Sequence, residues 1–246
     1  MMLRATFRAE WTKLWTLPGT IWQLLSIAVL TGLVDVGVAA TVHCPCEQDV
    51  PKTVLTGVLL GQAAAAIVAV VFVSNEYSTG LVQLTLTAMP RRWLVLVAKA
   101  AIVTGLVLAA AAAGVAGSMI AARLMIPSLS LDDGAVLRAA GGSVLYLGLV
   151  ALLALGVATM IRDTAVAIGA ALGLLYLFPM LAALATDPHW QRRLEQIGPM
   201  PAGLAIQATQ QLKSLPIGPW PGLGVLAAWA FGSLMLGLLL FEWRDA

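Results

Sequence analysis

Six long apolar runs, at about 20–42, 53–73, 93–122, 142–161, 164–185 and 222–241, constrain this chain more than any other feature. Each reaches about 20 residues, the length an α-helix needs to cross roughly 30 Å of hydrocarbon. In lipid such a segment has to satisfy its own backbone N–H and C=O groups, so the runs are expected to be helices rather than isolated strands. Composition agrees, since 60% of the 246 residues are hydrophobic and only 11% are charged, against about 25% charged in soluble domains. The apolar surface is therefore expected to be buried in a bilayer. The first run is longer than the roughly 7–15 residues of a signal peptide's apolar core and reads as a retained span. The net charge of +2 is spread over short loops, which leaves no basic block for nucleic acid. Two cysteines cannot build a disulfide framework.

Residues 1–17 carry Leu3, Phe7, Trp11, Leu14 and Trp15 on one side, with Arg4, Arg8, Glu10, Thr12 and Lys13 mostly on the other. That pattern predicts an amphipathic helix lying in the membrane interface, ended by Pro18-Gly19. Six spans place both termini on one side. With the N-terminus inside, Arg4, Arg8, Lys13, Arg91, Arg92, Lys99, Arg162 and Arg244 are cytoplasmic, and Lys52, Arg123, Arg138, Arg192, Arg193 and Lys213 are outside. The inner segments are shorter and denser in charge, which favours that orientation. Only Arg162-Asp163 separates the fourth run from the fifth, so these two are expected to be antiparallel neighbours, with Asp163 or Thr164 capping the fifth helix. The long segment 186–221 is rich in proline and amphipathic around His189 to Ile197 and Ala202 to Leu212. It predicts one or two short helices dipping into the outer leaflet, rimmed by Trp190 and Trp220, or else a solvated cap over the bundle.

Between the second and third runs lies a polar and basic interval, 75–92. Tyr77, Leu81, Leu84 and Ala88 recur at i, i+4, i+7 and i+11, which lays one apolar stripe along a helix and leaves Glu76, Thr79, Gln83 and Thr87 for water or a partner. Pro90 ends it, and Arg91-Arg92 stands where a surface anchor belongs. One reading is a short helix on the membrane face that passes force to a partner protein. The other is an ordinary loop, and the alternation Leu84-Thr85-Leu86-Thr87 even hints at a strand. Small residues, Gly57 and Gly61, Gly169 and Gly173, and Gly105, Ala109, Ala113, Gly117 and Ala121, are spaced for close helix packing, inside one chain or between two.

Groups for catalysis are scarce. No lysine follows a glycine, so the phosphate-cradling G-x-x-x-x-G-K-[ST] loop is absent, as are G-x-S-x-G and H-E-x-x-H. The chain is not expected to act as an enzyme by itself. His43-Cys44-Pro45-Cys46 is either a soft-metal site or a pair of loop cysteines outside the membrane, and no metal is assigned to it. Serine at both Cys44 and Cys46 is expected to leave function intact; lost activity at normal expression would argue for the metal. Asp35 lies in the outer half of the first run, where an ionised group is costly. It is the candidate pathway residue, accepting a hydrogen bond from another helix or lining a substrate path, unless it is hydrated at the interface.

Taken together, the chain resembles the membrane subunit of type-2, export-class ATP-binding-cassette transporters. Arg8-Ala9-Glu10-Trp11-Thr12-Lys13-Leu14 resembles the family's leading interfacial helix. Glu76-Tyr77-Ser78-Thr79-Gly80, followed by Leu86 to Arg92 and Lys99, resembles its coupling-helix segment, and Arg162-Asp163-Thr164-Ala165 its tight inner turn. Trp243-Arg244-Asp245-Ala246 resembles its usual end. The resemblance covers essentially the whole chain and implies an all-α membrane protein as a single transmembrane domain. That domain has six spans, an N-terminal interfacial helix, a cytoplasmic coupling helix between spans two and three, and short outer re-entrant helices before span six. It implies a permease half-subunit that dimerises with an identical or different permease in a bacterial inner membrane, both termini cytoplasmic. A separate nucleotide-binding ATPase, which carries the ATP and Mg, would drive it; no cofactor belongs to this chain. Glu76, Tyr77, Gly80, Leu81, Leu84, Arg91, Arg92, Arg162 and Asp163 would then form the docking face. An apolar pathway suits a lipophilic or amphipathic cargo such as a drug, antibiotic, lipid or peptide. The competing expectation is an ATP-independent membrane protein, a secondary transporter or an immunity or anchor subunit. The single clear intramembrane acid and the lack of an internal repeat weigh against a carrier.

Overall fold

The computed structural model describes residues 19–41, 49–78, 92–126, 129–130 and 132–243. The interfacial helix expected over 1–17, the His43–Cys46 cluster, most of the 75–92 interval and the last three residues lie outside the described residues. Among the described residues the chain is all-helical in its regular structure, without a strand, and six of its helical segments are long and apolar enough to cross a membrane. The chain thus has the architecture of a multi-pass membrane protein.

The first span is α1 (Gly19–Thr41). The second is broken near its start: α2 (Val50–Val54) passes through a 3-10 turn, Leu55–Gly57, into α3 (Val58–Ser78). It therefore begins before the expected residue 53 and continues past 73, because Asp49 and Pro51 together start a helix: the Asp49 side chain accepts the Lys52 N–H and Pro51 occupies the first turn. The third span is α4 (Arg92–Met125). The fourth, α5 (Gly134–Ile161), starts well before residue 142, with Asp133 accepting the Ala135 N–H at 2.9 Å. Its first two turns hold Arg138, which reads as loop in the sequence but finds a partner in the fold. The fifth span is α6 (Thr164–Leu184), with Asp163 as the capping residue, accepting the Val166 N–H at 2.9 Å. Segment 186–221 contains α7 (Pro188–Ile197), α8 (Pro199–Leu204) and 3-10 turns at Ala205–Gln207 and Leu212–Ser214. The expected second helix stops at Leu204 and continues only as the first of these turns. The sixth span is α9 (Pro219–Trp243).

Side-chain meetings give the helix directions. Asp35 meets Gly57 while Thr31 meets Gly61, so α1 and α3 are antiparallel; Gly156 meets Ser233 while Thr159 meets Gly237, so α5 and α9 run the same way. The end of α3, the start of α4 and the α5–α6 turn thus share one end of the bundle, called here the Arg162 end. Asp49, α7 and α8 share the other, the Asp49 end. Buried residues make up 67% of the apolar core of the second and fourth spans, but only 22% of the first and fifth and 28% of the sixth. The second span and α5 are therefore the centre of the bundle, and α1, α6 and α9 are its flanks.

Glycines set the closest approaches. A Cβ at Gly57 would run into the Thr31 carbonyl oxygen and the Asp35 carboxylate, and one at Gly61 into the Thr31 hydroxyl. This pair is thus spent inside the chain, where dispersion between touching backbones replaces the missing hydrophobic force. Gly105, Gly117, Gly169 and Gly173 differ, since a Cβ at any of them meets no heavy atom within 4 Å. Ala109 and Ala113 are exposed as well, so the small-residue stripe of α4 points away from the bundle.

Candidate functional site

The residues nominated for docking fall at the Arg162 end as far as they are described. Glu76 and Tyr77, placed by their backbone, occupy the last turn of α3, so the second span carries its helix through the start of the expected coupling segment. Arg92 opens α4. Gly80, Leu81, Leu84 and Arg91 lie outside the described residues. Arg162 takes the left-handed conformation, φ 62°, and its N–H donates to the Ala158 carbonyl at 3.0 Å, closing α5 so that Asp163 can open α6. On the same end, buried Lys99 of α4 holds its ammonium 5.3 Å from the centroid of the Phe72 ring of α3, a contact worth about 1–2 kcal/mol when desolvated. It joins the two helices that bracket the 79–91 interval.

Asp35 stands at a three-helix junction and not at a hydrated interface. It is fully buried, and one carboxylate oxygen accepts the Gly57 N–H at 2.5 Å. Gly57 is the last residue of the 3-10 step in the second span, so the carboxylate of α1 holds the backbone where that span returns to α winding. Mid-helix 3-10 steps often mark hinges. The Ser118 hydroxyl of α4 also faces the carboxylate while donating to the Gly114 carbonyl at 2.8 Å. The second carboxylate oxygen and the neighbouring Thr31 hydroxyl have no hydrogen-bond partner. The arrangement contains no nucleophile and base pair. Among the described residues no three His, Cys, Asp or Glu side chains gather to hold a metal.

The residues that sequence reasoning missed sit at the Asp49 end. Segment 199–210 folds back between α5, α9 and the start of the second span, burying Pro199, Ala202, Gly203, Ile206, Gln207 and Ala208. Asp49 fixes it by accepting from the Thr209 hydroxyl at 2.6 Å and from the Thr209 and Gln210 N–H groups at 2.7 and 3.0 Å. Arg138 donates to the Ala208 carbonyl at 2.6 Å, and the Gln207 amide donates to the Ser143 hydroxyl at 3.0 Å and the Leu55 carbonyl at 3.4 Å. Deeper in, the Tyr146 hydroxyl donates to Gln62, whose amide nitrogen meets the Met200 sulfur at 3.4 Å. Unpaired polar groups are expensive in the low-dielectric interior, and this network pairs them across four elements. Gly142 and Gly203 make room for it, since a Cβ there would strike Ile206 and the Tyr146 ring. An Asp followed by Val-Pro is a legible helix start, but nothing in the sequence shows that the same carboxylate reaches residues 209 and 210.

No protein-family model and no curated protein matches the sequence.

Proposed function

We propose that this chain is the permease half-subunit of an ATP-driven exporter, working as a dimer on separate nucleotide-binding subunits. The observation that carries the reading is the sharing of one bundle end by the last turn of α3, the start of α4 and the Arg162-Asp163 turn. These bracket the interval that resembles a coupling helix, so a single docked protein would touch all of them. Lys99, Arg162 and Arg92, which opens α4, also put basic residues at that end, as on a cytoplasmic face. The opposite end then faces outward, and segment 199–210 acts as a re-entrant plug over the exit. Outward-pointing small residues on α4 and α6 offer room for the second permease. ATP binding by the partner would push the Arg162 end and tilt the spans as rigid bodies, with the 3-10 step at Asp35 and Gly57 as the point that yields. The cargo class favoured is lipophilic or amphipathic. Asp35 is enclosed by α1, the second span and α4, which lends less support to an ion-coupled carrier, where an acid faces a cavity.

The test is to co-express the chain with a nucleotide-binding ATPase from a neighbouring reading frame of its genome and purify through a tag on this chain. A neighbourhood without such a frame would itself count against the reading. Wild type is expected to bring down an active ATPase, and Glu76→Ala to insert normally but lose it. Wild type purifying without the ATPase in mild detergent would overturn the reading.

A further inference from the structure

α6 and α9 flank α5 and touch each other through the edge of Phe178 on Trp229, with ring centroids 5.9 Å apart. Beside that contact lies a groove of about 500 Å3, floored by Val157 of α5 and walled by Leu174 of α6 and Val225, Gly232 and Leu236 of α9. The last turn of α7, Gln196 and Ile197, roofs it, and the Trp229 indole N–H ties that roof down by donating to the Ile197 carbonyl at 2.9 Å. The polar groups on its wall are engaged. The Ser233 hydroxyl donates to the Ala230 and Leu153 carbonyls at 2.9 and 3.3 Å, and the Gln196 amide nitrogen to the Pro216 carbonyl at 2.7 Å. The interior therefore offers its occupant hydrocarbon contact.

From Val225 to Leu236 the groove follows about 16 Å of helix at 1.5 Å per residue. That length of apolar wall takes an extended alkyl chain, and the charges at its end indicate what such a chain belongs to. At the roofed end, one turn back along α7 from Gln196 and Ile197, stand exposed Arg192 and Arg193. The Arg193 guanidinium lies 5.9 Å from the Trp190 ring centroid, and Trp190 is 61% exposed. Tryptophan and arginine side by side mark the headgroup level of a bilayer. The acids of this helix are already engaged: Asp187 accepts the His189 N–H at 2.8 Å and Glu195 meets the Gln191 amide at 3.5 Å.

We propose that the groove between α6 and α9 holds one acyl chain of a membrane phospholipid, with its phosphate at Arg192 and Arg193. The site does not rest on the exporter reading and exists whether or not an ATPase docks. The probe is phosphatidylglycerol, counted by native mass spectrometry after purification of the full chain in mild detergent. Wild type is expected to retain it. Gly232→Leu adds its side chain at the groove wall, where a Cβ meets no heavy atom within 4 Å. Displacing about two buried methylenes should weaken retention about tenfold. The double variant Arg192→Gln, Arg193→Gln, with both changes on the exposed face, should also lose phosphatidylglycerol while eluting as wild type. Wild type free of bound phospholipid, or either variant retaining as much as wild type, overturns the proposal. So does a disulfide between the copies of a Gly232→Cys protein, which would put a second chain in the groove.

Discussion

Leucine in place of Gly57 is expected to abolish accumulation of the folded protein. The side chain would start against the Thr31 carbonyl oxygen, which is backbone and cannot rotate away, and against the Asp35 carboxylate, which already holds the Gly57 N–H at 2.5 Å. Relief would require moving α1 off the second span along the whole contact that Gly57 and Gly61 make with Thr31. Overpacking of a filled core costs about 1–3 kcal/mol when side chains can adapt, and more is expected here because a main chain stands in the way. The measurement is the monodisperse fraction of a fluorescently tagged protein on size-exclusion chromatography, with Gly37→Leu and Gly224→Leu, both on exposed helix faces away from the small residues of α4 and α6, alongside. Those two positions have open space, so their variants should elute as wild type. Equal behaviour of all three variants would remove the three-helix junction from the account of the fold.

Asp49→Ala is expected to release residues 209–211 while leaving the six spans assembled. Its carboxylate is the acceptor for four groups, the N–H of Lys52, the N–H and hydroxyl of Thr209, and the N–H of Gln210. A lost N-cap costs about 1 kcal/mol, and hydrogen bonds to a charged acceptor about 1.5–3 kcal/mol each. Asp49 and Thr209 are only half-buried, so water recovers part of this and a net of about 2–4 kcal/mol is expected. The loss stays at residues 209–211, since residues 207 and 208 keep their own anchors, Gln207 on Ser143 and Arg138 on the Ala208 carbonyl. Hydrogen exchange at Thr209 and Gln210 should speed up by about two orders of magnitude while that of α5 stays unchanged. Asp49→Asn keeps one acceptor oxygen and should fall between. Unchanged exchange at 209–210 would mean that the segment is held by its buried side, Ile206 and Ala202, and not by this carboxylate.

How much of this was legible depended on the range of the forces involved. Span number and type followed from local composition, because a run of about twenty apolar residues in lipid has only the helix available to it. The fifth helix also matched to within a residue at its end, since Asp163 at the tight turn is a local signal. The fourth was read too short because Arg138 looks like a loop residue until Ala208, 70 residues away, supplies the carbonyl that accepts from it. Asp35 stood out as an acid in a span, yet its burial against Gly57 depends on which faces of α1, the second span and α4 meet. Spacing of small residues was equally silent: Gly57 and Gly61 turned inward, and Gly105 and Gly117 outward, from the same kind of pattern.

By itself, then, the sequence determined the membrane class, the helical spans and most of their limits, for these depend on each residue's own transfer from water to hydrocarbon and on caps a few residues away. Only the tertiary structure decided that the second span and α5 form the centre, that Asp49 clamps residues 209 and 210, and that α6 and α9 leave an apolar groove between them. Apolar residues line every face of these helices, so hydrophobicity cannot choose which faces touch. That choice rests on shape and on long-range pairing of a few polar atoms, and neither is written in any single stretch of the chain.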